Sequence, residues 1–311
     1  PMSSWKPGDK IVIATTGGRL TLPQNEERII DSISADGRTI FLTEPLSYRH
    51  LYHYSEWDGE VLEVAAEVGL LTRNVKFHGN VNDEWTRTLP PCDTEYETGE
   101  NQKEDEVIQS CYENKWGDEI GSDEMGAHFL MHKITWGKIA HIEAFHVGQA
   151  AQFARYSFHF HRSSHQPDSY FRGNAVYNTF NRVITTHGVH QVLVEWNVGY
   201  NAMGHNYFIE DGCEENNVFQ YNLAIKTKPS NSLLNSDQKA AGFWITNPWN
   251  TIQHNRVAGG AQTGYWVNPF EQAFPHSGAQ PHYKDTLCPV TRGVLKWYNN
   301  TAHDMGFYGF W

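Results

Sequence analysis

Short runs of alternating apolar and polar residues, separated by glycine, asparagine and aspartate, fill most of this 311-residue chain. Over the first eighty residues, segments 10–15 (KIVIAT), 27–33, 39–42 and 60–64 have strand-like apolar content and are parted by GG, ADG and WDG turns. Segment 73–78 (RNVKFH) reads as a further strand. After an acidic stretch the pattern resumes at 127–133 (AHFLMHK) and 138–147 (KIAHIEAFHV). The chain therefore divides into an N-terminal β region over 1–80, a loop insertion over 81–126 and a repetitive region over 127–311.

In that last region asparagine recurs before a small or branched apolar residue, at Asn174, Asn197, Asn222, Asn255 and Asn300. Most of these are followed by a second strand: RVITTHG, NYFIEDG, GYWVNP and GFYGFW. The coil that starts at Asn222 reaches its second strand, GFWITNP, only after an insertion near 226–239. Two strands recurring every ~22–26 residues is the arithmetic of one turn of a solenoid. The expected fold is all-β, a parallel β-helix with loop insertions, in preference to a β-sandwich with irregular loops. An asparagine at one corner of every coil would take up left-handed backbone geometry and bond to its neighbours as a ladder.

Strand residues two apart share a face, so His159 and His161 point the same way. Aligning the second strands on their turn residues stacks His161, His187, Asp211 and Asn247 in one column, with Arg155, Arg162, His205 and Glu210 nearby. Neutral imidazoles and a carboxylate suit a divalent transition metal, with His159, His161, His187 and Asp211 as ligands. Without metal, the same groups form a general acid/base set. The bland alternative is a ladder of solvent-facing histidines, since the chain has 17 of them and others occur on neighbouring strands. A second series is aromatic: Phe243 with Tyr265 would line one face and Trp244 with Trp266 the other, one set filling the core and the other offering a platform for sugar rings.

Composition narrows the picture. Residues 93–124 hold twelve carboxylates against Lys103 and Lys115, so the net charge of −12 falls almost wholly on one solvated loop. No basic stripe suggests nucleic acid, and no apolar run has transmembrane length. The absence of a signal peptide and the abrupt start and stop suggest an internal segment of a longer protein. Four cysteines are compatible with two disulfides, Cys92 with Cys111 bracketing the acidic loop and Cys213 with Cys288 remaining. The sequon Asn299-Asn300-Thr301 agrees with an oxidising, secretory environment.

Several long stretches resemble a known family. VGLLTRNVKFHG at 68–79, IEAFHVGQAAQFARYSFHFH at 142–161, FNRVITTHGVHQVLVEWNVGYNAMGHNYFIEDG at 180–212 and AGFWITNPWNTIQHNRVAGG at 241–260 are similar to the β-helix region shared by fibrocystin-L, the transmembrane cell-surface hyaluronidase and the cell-migration-inducing hyaluronan-binding protein. The opening WKPGDKIVIATT resembles the segment that follows their glycine-rich domain named for eight glycines. The resemblance implies a right-handed parallel β-helix, extracellular, within a large secreted or single-pass membrane glycoprotein. Its HFH, THG and EDG motifs carry over as His159, His161, His187, Glu210 and Asp211. Where the family often reads Tyr-Pro before HFH, this chain has Tyr156-Ser157.

Two functions follow. In the first, the domain binds a polysaccharide such as hyaluronan and cleaves it as a depolymerase. His161, His187, Asp211, Glu210 and Arg155 would form the catalytic set, with Arg162, Trp244, Trp266 and Tyr265 holding substrate. Arg155 or Arg162 would neutralise a uronate. In the second, the chain is a structural rod of a cell-surface or ciliary-surface coat or an extracellular filament, contacting neighbouring copies or other extracellular proteins. Either role is extracellular and requires no membrane contact by this segment.

Overall fold

A computed structural model describes residues 4–79, 126–149, 154–229, 235–273 and 287–311. The acidic stretch, Cys92 and Cys111 lie outside the described residues. The repetitive region is a parallel β-helix of three sheets. One, here called the site sheet, stacks Phe129–His132, Phe158–His165, Ile184–His190, Tyr207–Ile209, Ala241–Ile245 and Thr263–Val267. A second stacks Lys138–Ala140, Tyr170–Arg172, Leu193–Glu195, Val218–Gln220, Thr251–Gln253 and Lys296–Tyr298. The third, seven-stranded, stacks Val75–His78, Ile142–Phe145, Ala175–Thr179, Val198–Met203, Leu223–Lys228, Arg256–Ala258 and Thr301–His303. Every pairing within these sheets is parallel. The helix thus starts earlier than residue 127, because Val75–His78 is already a rung beneath Ile142–Phe145.

Each coil has three strands where the sequence pattern suggested two. The extra one ends just before the asparagine, where a residue of positive φ breaks the chain direction: Gly173, Trp196, Tyr221, His254 and Asn299. The left-handed geometry expected of the ladder asparagines belongs to these preceding residues instead. Freed from that task, each asparagine turns inward. Asn174, Asn197, Asn222 and Asn255 each donate Nδ2–H to the Oδ1 of the next, at 3.0–3.1 Å, ending on Asn300. The same Oδ1 atoms accept a backbone N–H, and each Nδ2 also donates to a strand carbonyl of the preceding coil. The ladder leaves few polar atoms of this corner unsatisfied although Asn174, Asn197, Asn222 and Asn255 are all buried. Asparagines of positive φ do occur at another corner, Asn178 and Asn201, joined at 2.9 Å.

Inside the coils, side chains alternate into a continuous core: Phe158, Phe160, Phe171, Val176, Ile184, Val194, Phe219 and Val257. Tyr207, Phe243, Tyr265 and Phe310 stack ring on ring through four successive coils, with centroids 4.5–4.9 Å apart. That spacing is close to the coil rise of about 4.8 Å, so identical orientation in each coil brings the rings into contact.

The N-terminal region forms an antiparallel sheet in the order Ile40–Leu42, Glu26–Ile33, Lys10–Ile13, Val68–Leu70. Val12, Ala14 and Leu71 press onto the outer face of the seven-stranded sheet, against Ala175, Tyr177, Val198, Tyr200, Ile225 and Ala258. This cover hides apolar residues that a free β-helix face would expose. His303, on the last rung, ties the two layers by bonding Glu67 through Nε2 and Asp304 through Nδ1. Burial opposes its charge, but hydrogen bonds to Asp304 and Glu67 and the charges of those carboxylates prevail and raise its pKa to about 9.

Two outcomes follow. Asn222→Ala strips acceptors from Asn197 and a donor from Asn255, leaving buried groups unpaired at a cost of about 2–4 kcal/mol, whereas Asn300→Ala at the ladder end costs about 1 kcal/mol; urea unfolding of the two variants measures the difference. Because the folded pKa of His303 lies above its ordinary 6.5, its stabilisation is complete below pH 6.5 and disappears as pH rises through about 9. Melting temperature should fall across that window, and His303→Gln should flatten this part of the profile.

Candidate functional site

The segment FHFHRSSH alternates as its sequence dictates: Phe158 and Phe160 point into the core while His159 and His161 point outward. Parallel register then decides what each histidine meets. His161 sits beside His132 on the coil before and His187 on the coil after. On the next coil Ile209 aligns with Thr186, and the Glu210 N–H bonds the Thr186 carbonyl at 3.2 Å. Glu210, not Asp211, is therefore the next rung above His187. Alignment on turn residues misplaces this rung by one position. Asp211 stands in the following turn and reaches His187 from the side. Asn247 is a turn residue, donating to the Gly212 carbonyl and accepting from Trp249 N–H.

Two adjacent carboxylates that a regular strand would point apart converge here because the strand ends at Ile209. His187 Nε2 lies 2.6 Å from Asp211 Oδ2, and His187 Nδ1 lies 3.5 Å from Glu210 Oε2. His159 Nε2 is 4.0 Å from the same Glu210 oxygen and 3.3 Å from His161 Nδ1. Tyr156 donates its hydroxyl to Glu210 Oε1 at 3.2 Å. Glu214 accepts the backbone N–H groups of Gly188 and Asp211, fixing the turn that presents Asp211.

Crowding sets the electrostatics. Burial, together with the neighbouring His187, holds His159 neutral well below the usual imidazole range and His161 down to about 3. Burial opposes charge on His187 too, but Asp211 and Glu210 overcome it and raise it to about 10. Burial raises Glu210, with Asp211 adding to the effect and His187 countering it. Burial and the Asp211 carboxylate push Glu214 up to about 7.

The donor set fits a metal ion. His159, His161 and His187 offer three nitrogens within 4.8 Å of one another, and His187, Glu210 and Asp211 offer a second such trio sharing His187. A tetrahedral metal with bonds of about 2.0–2.2 Å brings its ligand atoms to about 3.5 Å from one another, so these side chains would draw together around it. Glu210 Oε2 and His187 Nε2 are both buried and are held by ion pairs, Glu210 Oε2 to His187 Nδ1 and His187 Nε2 to Asp211 Oδ2. Imidazole and carboxylate together favour a divalent transition ion.

Other expected site residues are placed differently. Arg155 is exposed and bonds Gln149 rather than the imidazoles. Arg162 has φ 49°, at the register shift after His161, and its charge helps depress His161. Tyr265 is fully buried in the inner stack, so it is not available to a ligand. Its neighbour Trp266 faces outward with Trp244 and Trp311. Trp244 is buried against His205, only 4% exposed, and is no open platform. Cys213 packs against Ala273 and Leu287.

Sequence reasoning missed the layer beneath the site. Arg182 is buried, donates to Asp237 at 3.0 and 2.6 Å and lies 3.7 Å from the Phe208 ring centroid. Asp237 belongs to the helical turn Asn235–Gln238 within the insertion, so that segment neutralises the cation under Tyr156 and Glu210. Nothing local in sequence pairs residues 55 positions apart. Tyr156 was nearer to view, two residues before the FHFH alternation.

Among the described residues no helix is long and apolar enough to cross a membrane. The chain is 42% identical to fibrocystin-L of Homo sapiens over 316 residues, covering 99% of this chain but 7% of that protein. It is 28% identical to cell surface hyaluronidase CEMIP2 and 30% identical to cell migration-inducing and hyaluronan-binding protein, both of Homo sapiens, with 97% of this chain and 22% of each relative covered. It thus spans only a small part of the relatives it matches. Residues 124–310 match the family model described as CEMIP beta-helix, a stretch that carries the histidine column and all of the three stacked sheets except the strand Val75–His78, and the chain belongs to that family.

Proposed function

We propose that this chain is the polysaccharide-handling β-helix of an extracellular or cell-surface protein, and that it binds and cleaves an anionic polysaccharide such as hyaluronan at the His159–His161–His187–Glu210–Asp211 centre. The observation that carries the reading is the convergence of three imidazoles and two carboxylates from three successive coils onto one outer face. A structural column would repeat one residue type, as the asparagine ladder does. This one mixes imidazole and carboxylate ligand types within 4.8 Å of one another. Relatives named for hyaluronan suggest the substrate.

His159, His161, His187 and Asp211 would hold a divalent transition metal, which supplies a Lewis acid for a substrate oxygen or an acidified water. Glu210 then serves as the proton donor. Its burial favours the protonated form, and the Tyr156 hydroxyl and His187 fix the orientation of its two oxygens. Scission of the glycosidic bond moves the Glu210 proton onto the leaving oxygen, and water adds to the anomeric carbon while its own proton returns to the Glu210 carboxylate. Arg162, beside His161, offers charge to a uronate, and Trp266 a flank of the same outer face.

A second reading, the rod of a surface coat or filament in contact with neighbouring copies, is favoured by burial: His159 has no exposed surface and the carboxylates little. The two separate cleanly. Purified metal-loaded protein should shorten size-defined hyaluronan on gel filtration, and chelation should stop it with Mn²⁺ or Zn²⁺ restoring it. Glu210→Gln should keep the metal but lose about 10²–10⁴ in turnover, whereas His187→Ala and Asp211→Ala should lose both. An unchanged size profile with folded, metal-loaded protein would sink the cleavage reading and leave the rod.

A further inference from the structure

The residues that precede the ladder asparagines form an outer column of their own. Gly173, Trp196, Tyr221, His254 and Asn299 all have positive φ, which throws any side chain clear of the helix, and so does His141 at the equivalent position one coil before Gly173. Trp196 and Tyr221 stack at 4.3 Å with 5° between planes, and Tyr221 and His254 at 4.7 Å with 4°. Each inner ring is covered on both faces. Trp196 is not, because the next rung is Gly173, and the indole remains 56% exposed. A side chain is excluded at that rung: the φ of 64° disfavours one, and a Cβ would lie 2.6 Å from His141 Nδ1.

The open indole face borders a cavity of about 650 Å³ between this edge and the N-terminal segment, lined among others by Trp5, Lys6, Thr72, Arg73, Asn74 and His141. Its wall is held in place by Arg73, whose guanidinium donates to the carbonyls of Gly173, Leu70 and Thr72 at 2.8–2.9 Å. With no side chain at Gly173 the Trp196 face opens into the cavity, and the His141 imidazole, leaning against Gly173, forms the far wall of the opening. A flat apolar face with cations and amide or hydroxyl groups at its rim matches a pyranose, whose C–H face packs on indole while its hydroxyls and carboxylate meet polar groups. Glu143 and Asp9 balance Arg73, so the exposed Lys6 supplies the positive charge at the rim that favours an acidic sugar.

We infer that the slot between Trp196, Gly173 and the N-terminal segment is a second saccharide-binding subsite, which takes one sugar of an anionic polysaccharide on a different edge of the helix from the histidine centre. The inference rests on the polysaccharide reading for its ligand class, not on cleavage or on the metal.

The test is calorimetric titration with a hyaluronan decasaccharide and with a neutral N-acetylglucosamine tetramer, in the His187→Ala background so that the probe is not consumed. The decasaccharide should bind the His187→Ala protein. Adding Trp196→Ala should weaken it at least about tenfold, Trp196→Phe should recover most of the loss, and Lys6→Ala should weaken the decasaccharide but not the neutral probe. Unchanged melting temperatures exclude misfolding as the cause. Binding indifferent to Trp196→Ala, or no binding of either probe at millimolar concentration, overturns the inference. If wild-type protein leaves hyaluronan uncut while Trp196→Ala still abolishes binding, the cleavage reading fails and the subsite stands.

Discussion

Parallel stacking of coils at a fixed rise of about 4.8 Å is the constraint on which everything else in this structure rests. No coil buries its own core, so each depends on the rungs above and below. The asparagine ladder makes the stacking directional. Its amides satisfy the buried corner, where the chain turns and ordinary strand hydrogen bonds end. The residue ahead of each asparagine takes the strained backbone, and its side chain is thereby pushed into solvent. One corner thus yields an inner polar ladder and an outer aromatic column.

The same spacing creates the candidate centre. Equivalent positions on neighbouring coils are forced together whether or not their chemistry agrees, and here they are imidazoles and carboxylates. Packing them costs desolvation, offset in part by the His187 ion pairs with Asp211 and Glu210 and by backbone N–H groups donated to Glu214. The buried Arg182–Asp237 pair below the site supplies no ligand, but it places a cation beneath Tyr156 and Glu210 and joins the insertion to the coil. A buried pair of this kind is costly to break from one side, since the partner charge is left uncompensated.

The N-terminal sheet completes the molecule by covering one face of the prism. Its apolar residues replace solvent over the seven-stranded sheet, and His303 pins its far end. Where it stops short of the outer aromatic edge, a cavity remains beside Trp196. Cover and cavity are two consequences of one docking.

What the sequence determined by itself was whatever repeats. The recurrence of asparagine and of apolar pairs specified a parallel β-helix, and period-2 alternation put His159 and His161 on one outward face, because both signals depend only on spacing along the chain. It also brought His187 beside His161. The finer points depended on where strands end. Register made Glu210 rather than Asp211 the next rung above His187, since hydrogen bonding between coils, not the position of turns, sets the rungs. Whether Tyr265 or Trp266 faced inward depended on which side of a strand met the core, a choice alternation leaves open. Tyr156, Arg182 and Asp237 entered only through tertiary packing, because contacts between residues tens of positions apart leave no local trace.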